Sequence, residues 1–231
     1  MHVSIVITCY NRERFISRAI RSALSQRFSK EDFEVIVVDD GSTDNSPKII
    51  RDFGDEIIPI FFRKNRGLPA ARNMGIRKAR GRFVVHLDSD DYIHDELLHI
   101  EYLHLAFNQE WGAVACDYVE VDTNEAHIKR HDARREPIAC GIMFRKENLI
   151  EIGLYDERMR LCEDEELRCR YEARYEIGYV HLPLYRYTKH DGNLTNDTQA
   201  VDKYRKRLRQ VSDKKRTAAS GKGDASTCTR N

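Results

Sequence analysis

Phe83-Val84-Val85-His86-Leu87-Asp88-Ser89-Asp90-Asp91 is the stretch on which the reading of this 231-residue chain turns. Its first five positions are a short, mostly apolar run and read as a buried strand, Phe83–Leu87. The run stops in three carboxylates within four residues. Upstream, Asn65-Arg66-Gly67-Leu68-Pro69 reads as a turn feeding a helix, with Pro suited to the first helical turn. That helix runs to about Ala79 and stops near Gly81. Further back lie an apolar run at Ile57–Phe62, a helix capped by Thr43 or Asp44 and reaching Phe53, a buried strand at Phe33–Val38, a helix over Arg14–Gln26 and a first strand at Val3–Thr8. Downstream, Asp95–Phe107 continues the alternation as a helix. Strand–helix–strand repetition requires crossovers, and crossovers make a mostly parallel central sheet flanked by helices: an α/β chain.

Past Trp111 the rhythm loosens. Val114–Val121 reads as a strand, Asn124–Glu136 as a polar loop, Ile138–Phe144 as a strand, Glu163–Ala173 as a helix and Gly178–Leu184 as extended. One domain over residues 1–200 is expected, with halves 1–110 and 111–200, followed by a basic tail over 201–231. The formal net charge of +1 hides an asymmetry. The last 31 residues hold 10 Lys/Arg against 3 Asp, which leaves 29 basic and 35 acidic side chains in the body. No segment approaches the roughly 20 apolar residues of a membrane span. Met1-His2 leads directly into the first strand, so no signal peptide is expected and the cytosol is the expected compartment. Six cysteines without a C-x-x-C pair argue against zinc or a disulfide framework, and Cys9, Cys116 and Cys140 read as small core residues.

In an open α/β sheet, ligands bind beyond the carboxyl ends of the strands. Three such ends here are polar or acidic: Thr8-Cys9-Tyr10-Asn11, Asp39-Asp40 and Asp88-Ser89-Asp90-Asp91. Alternate residues of an extended segment point the same way, so Asp88 and Asp90 can converge on one cation, and oxygen ligands select Mg²⁺ or Mn²⁺. A solvated acidic turn is the plain alternative. Asp40 can accept from an imide N–H of a base or close a local turn. Tyr10 can stack on a base or sit half-buried at a strand end. Arg72, just inside a helix N-terminus, can meet phosphate or solvent.

Val3–Asn11, Val37–Asp44, Asn65-Arg66-Gly67 with Ala71-Arg72-Asn73, and Leu87–Asp91 occur in order, and together they resemble glycosyltransferase family 2, inverting enzymes of the GT-A fold. The likeness covers roughly residues 3–190. It implies a Rossmann-like donor half and an acceptor-side C-terminal half. It also implies that Tyr10 and Asp40 hold the donor's base, with Thr8 in the same strand-end segment. Arg72 matches a position near the donor phosphates. Asp88 and Asp90 match the metal and ribose motif, Asp90 as the more direct ligand. In Glu163-Asp164-Glu165-Glu166-Leu167 the resemblance gives Asp164 the place of the catalytic base, whereas physics alone reads an acidic first turn suited to the helix dipole. Lys189-His190-Asp191-Gly192-Asn193 resembles a segment in which His190 approaches the metal; otherwise His190 is a loop histidine.

The implied chemistry is transfer of a sugar from a nucleotide-diphosphate donor, UDP-sugar first, to a glycan or lipid-linked hydroxyl, with Mn²⁺ or Mg²⁺ as cofactor, in the assembly of a surface glycan. Two rivals remain open. A nucleotidyltransferase would want a Gly-rich loop after the first strand, and Thr8–Phe15 has no Gly. A binding module without turnover would not need Asp164. Val201, Tyr204, Leu208 and Val211 fall at helical spacing among five cations, which could lie on the inner face of an anionic membrane, pack on the domain or stay disordered. Nucleic acid is not expected as a partner, since the body lacks aromatic–basic interleaving.

Overall fold

A computed structural model describes residues 1–159 and 161–193; the basic tail expected at 201–231 lies outside them. Residues Met1–Asp191 form one compact unit. Its elements are β1 (Val3–Cys9), α1 (Ile16–Leu24), β2 (Phe33–Asp39), α2 (Ser46–Arg51), β3 (Ile58–Phe61), α3 (Leu68–Lys78), β4 (Phe83–Asp88), β5 (Tyr92–Ile93), α4 (Leu97–Phe107), β6 (Trp111–Val121), β7 (His127–His131), β8 (Ile142–Arg145), α5 (Lys146–Glu151), α6 (Glu163–Glu172) and β9 (Glu176–Thr188). They build one sheet in the order β3-β2-β1-β4-β8-β6-β9-β5, with β7 added to β6.

The sheet is parallel from β3 to β4. Beyond β4 it is mixed: β8 runs antiparallel to both β4 and β6, β9 parallel to β6, and β5 antiparallel to β9. The parallel half was readable because β1, β2 and β4 are buried on both faces. Val3, Ile5 and Ile7 of β1 join Val35, Val37, Val85 and Leu87 under α1 and α4. Val6 joins Ile36, Val38 and Val84 on the opposite face, beneath Ala71 and Ile76 of α3 and Leu167 and Tyr171 of α6. Side chains alternate between two cores, so each strand is a continuous apolar run, and each fully buried aliphatic contributes about 1.5–3 kcal/mol.

Three local expectations are corrected. The segment 124–136, read as a loop, contains β7, which pairs antiparallel with β6 through Tyr118↔His131, Val119↔Arg130 and Glu120↔Lys129. Its side chains face solvent almost throughout, so it carries no apolar alternation; pairing makes the strand, helped by the Tyr118–His131 ring stack at 4.6 Å. Helix α2 begins at Ser46 behind Asn45, not at Thr43 or Asp44, although Asp44 Oδ1 accepts the Ser46 N–H at 2.9 Å. The final strand extends four residues past Leu184, to Thr188, which carries the chain back to the acidic turn. Cys9, Cys116 and Cys140 are buried free thiols, as expected of core residues. Among the described residues no helix is long and apolar enough to cross a membrane.

Glu101 of α4 is fully buried, with neither carboxyl oxygen bonded to a nitrogen or oxygen among the described residues, and it faces the Cys116 thiol. Burial lifts its pKa well above the ordinary 4.5. The folded chain therefore keeps a proton that the unfolded chain releases above that value, so stability falls as pH rises past it. Glu101→Gln is expected to unfold later than wild type at pH 8, by roughly 1–3 kcal/mol, with the gap closing toward pH 4.5. Urea unfolding at the two pH values checks this; a gap independent of pH contradicts it.

Candidate active site

The register of the parallel strands brings the polar strand ends together. Thr8 pairs with both Val38 and Asp88, and Cys9 with Asp39, so β1, β2 and β4 finish at one level. Tyr10 emerges from that edge 43% exposed, while Thr8 and Asp40 are buried. The loops after β1 and β2 are laced to each other. Asn11 adopts a left-handed φ of 53°, which Asn tolerates well. Its backbone N–H donates to Ser42 Oγ at 2.9 Å, and its Oδ1 accepts from the Thr43 N–H at 2.8 Å. Glu13 Oε2 accepts from the Asn45 N–H at 2.8 Å.

Asp40 carries the next loop. Its Oδ1 accepts the Arg66 N–H at 2.7 Å and its Oδ2 the Gly67 N–H at 2.8 Å. Gly67 has φ 97°, a conformation that lets its amide turn back to the carboxylate just ahead of α3. Burial raises the Asp40 pKa, while the two amides pull it down. The Gly in Asn65-Arg66-Gly67 thus serves the carboxylate as well as the turn.

The acidic turn sorts its side chains by alternation. Asp88 and Asp90 are partly exposed, and Ser89 and Asp91 are buried. Asp91 Oδ2 accepts from Tyr185 Oη at 2.6 Å and Oδ1 from the Thr188 N–H at 2.7 Å. Burial, then Asp90 and Asp88, drive its pKa well above the ordinary range. Asp90 Oδ2 lies 3.0 Å from Arg12 Nε and 2.9 Å from His190 Nε2. Arg18 Nη2 donates to the Asp90 carbonyl at 2.7 Å and to Thr188 Oγ1 at 2.6 Å, and its guanidinium lies 4.5 Å over the Tyr92 ring. His190 also stacks on Phe15 at 4.9 Å.

Asp88 faces another partner. Its Oδ1 accepts from Arg72 Nη2 at 3.0 Å, and Arg72 Nη1 donates to Glu163 Oε1 at 2.8 Å. Arg72, expected near the helix start and phosphate, is turned inward with 1% exposure. Glu163 opens α6 behind Cys162, whose left-handed φ of 58° is unusual for a non-glycine residue. Asp164 follows, partly exposed, beside an apolar crevice walled by Ile138, Ala139, Phe144 and Tyr155.

Hard divalent cations take oxygen ligands and often bind through one or two carboxylates plus substrate phosphates. Asp90 with His190 fits that pattern: a carboxylate and an imidazole already meet at 2.9 Å on the open side of the turn. A second cluster, Asp117, Asp132 and His181, brings ligand atoms within 4.8 Å of one another. Its Asp117 Oδ2 is 2.7 Å from Arg130 Nη2, just as Asp90 Oδ2 is 3.0 Å from Arg12 Nε, so each carboxylate site already carries a guanidinium.

Residues 4–168 match the family model described as Glycosyl transferase family 2. The chain belongs to that family. As a family 2 glycosyltransferase it is 28% identical over 233 residues to the putative glycosyltransferase EpsH of Bacillus subtilis, spanning 89% of this chain and 64% of EpsH. In fold it resembles residues 1–349 of S. aureus TarS, solved in complex with UDP-GlcNAc, with a TM-score of 0.74, 23% identity, and coverage of 85% of this chain and 61% of that one. The mannosyltransferase PcManGT of Pyrobaculum calidifontis, in complex with GDP-Man and Mn²⁺, gives 0.67 at 19% identity, over 83% and 58% of the two chains. The chain therefore spans less than two thirds of the length of these proteins. The family 2 transferase presents most of its expected residues at one sheet edge: Thr8, Tyr10, Asp40, Asp88, Asp90 and His190. Arg12, Arg18, Tyr185 and Thr188 were missed by sequence reading; all four meet the turn from more than 70 positions away and left no local signal.

Proposed function

We propose that this chain is a metal-dependent, inverting glycosyltransferase that moves a sugar from a nucleotide-diphosphate donor, UDP-sugar first, to a hydroxyl of a glycan or lipid-linked acceptor in surface glycan assembly. The observation that carries this reading is the alternation at the fourth strand's end. Asp88 and Asp90 are partly exposed at the sheet edge that also ends in Tyr10 and Asp40, and one buried guanidinium links Asp88 to the helix that starts Glu163-Asp164. The nucleotide-sugar complex of TarS and the Mn²⁺ complex of PcManGT support the choice of ligands.

In this reading Tyr10 stacks on the base and Asp40 fixes the loop around it. Asp90 and His190 would hold Mn²⁺ or Mg²⁺, which supplies Lewis-acid stabilisation of the departing diphosphate. Arg12, 3.0 Å from Asp90, adds a fixed positive charge on the leaving-group side. Asp164 takes the proton from the acceptor hydroxyl as its oxygen bonds to the anomeric carbon and the bond from that carbon to the diphosphate oxygen breaks. A single base with attack opposite the leaving group inverts the anomeric centre. A cytoplasmic setting at the inner face of a membrane suits a lipid-linked acceptor.

A thermal-shift panel of nucleotide sugars, with and without Mn²⁺, tests the reading. A ligand at 100 times its Kd stabilises by about 2.7 kcal/mol, so one nucleotide-sugar class should raise Tm clearly, and only with the metal. A panel in which no nucleotide sugar shifts Tm contradicts the proposal.

A further inference from the structure

We propose that Arg72 is a positioning residue: its two Nη groups clamp Asp88 of the donor edge and Glu163 of the base-bearing helix in one buried fork, instead of binding the donor's phosphates. The functional part rests on the transferase reading above; the clamp itself does not.

Arg72 Nη2 is 3.0 Å from Asp88 Oδ1 and Nη1 is 2.8 Å from Glu163 Oε1, with the side chain 1% exposed. Tyr155 covers the guanidinium at 5.4 Å, and Cys140 Sγ lies 4.0 Å from Nη2. To meet a ligand in the cleft, Arg72 would have to give up both carboxylates and leave them unpaired. Its Nε is buried and bonded to nothing among the described residues. A buried guanidinium–carboxylate pair, extended to the partly exposed Asp88 and with one unsatisfied donor, is a poor way to gain stability, since apolar residues of equal volume often do as well. Such an arrangement makes sense where position matters. The planar fork engages two carboxylates in fixed directions, which a lysine ammonium cannot reproduce. The clamp spans 91 positions of sequence between α3 and α6 and places Glu163 immediately before Asp164. The distance between the departing diphosphate and the attacking hydroxyl is then set by one side chain that touches neither. Misplacement of reacting groups by about 1 Å can cost on the order of 100-fold in rate.

The test is a double-mutant cycle with Arg72→Lys and Glu163→Gln on the full chain. UDP release from UDP-GlcNAc in Mn²⁺ gives kcat and KM, calorimetric titration gives UDP affinity, and urea unfolding gives stability. Each single variant is expected to lower kcat about 10- to 100-fold with UDP affinity within about threefold of wild type. The double variant should be no slower than the worse single, because both cut the same clamp. Multiplying effects, or a loss of UDP affinity confined to Arg72→Lys, would overturn the proposal and return Arg72 to the donor. Equal kcat across the cycle with only stability changed would also overturn it, leaving a structural role. If Arg72→Lys does not fold, Arg72→Met/Glu163→Met replaces it; UDP affinity retained with kcat lost supports the clamp, and normal kcat overturns it. If wild type itself neither binds UDP nor releases it, the transferase reading has failed separately. The clamp is then read from unfolding alone, where non-additive stability supports it and additive stability overturns it.

Discussion

Asp164→Asn is expected to release sugar from the donor about 10²- to 10⁴-fold more slowly than wild type, the usual worth of a positioned general base, while binding UDP unchanged. The substitution is nearly isosteric. Asp164 sits in the first turn of α6, partly exposed, so neither core nor cap depends on its charge. The buried acid of that turn is its neighbour Glu163, whose pKa is raised by burial and restrained by Arg72. The two adjacent acids therefore have separable parts: Glu163 is held inside by the guanidinium, and Asp164 faces the crevice with Phe144 and Tyr155. Steady-state turnover of UDP-GlcNAc in Mn²⁺, with calorimetric titration of UDP on the same preparation, measures both halves of the expectation. Turnover at the wild-type rate would remove Asp164 from the role of base.

Asp90→Ala should have the second largest effect, on binding. Without this carboxylate, UDP affinity is expected to fall about 10- to 100-fold and to lose its dependence on Mn²⁺. Asp90 is where a guanidinium and an imidazole converge, Arg12 Nε at 3.0 Å and His190 Nε2 at 2.9 Å. In the proposed reading its loss removes an oxygen ligand, and it also frees both partners to shift. Titrations of UDP in Mn²⁺ and in chelator, for wild type and variant, check the expectation. A variant that keeps the full difference between the two conditions would show that the cation is held elsewhere.

The parallel part of the sheet was legible because burial on both faces writes β1, β2 and β4 as continuous apolar runs, and the carboxylates at its edge made that edge the candidate site. The partial exposure of Asp88 and Asp90 against the burial of Ser89 and Asp91 matches the alternation read from sequence, but a turn produces it, closed by the Asp91 N–H to the Asp88 carbonyl at 3.1 Å. Strand β7 was not legible, since His127–His131 faces water and exists through its pairing with β6. Arg72 shows the limit most plainly. Its place near the start of α3 allowed phosphate or solvent, and one of the two carboxylates it pairs with, Glu163, lies 91 residues further on. Composition around Arg72 contains no trace of that partner.

The last stretch of β9 returns to the acidic turn across long separations: Tyr185 and Thr188 reach Asp91 over 94 and 97 positions, and His190 reaches Asp90 over 100. On the ribosome the three aspartates are made well before the hydroxyl, amide and imidazole that satisfy them. Until residue 185 has emerged, Asp91 has neither of its hydrogen-bond donors, and until residue 188 it lacks one, so it cannot be buried without penalty. A nascent chain that ends at β6 would hold the parallel strands yet lack the groups that finish their edge, so the two halves mature together.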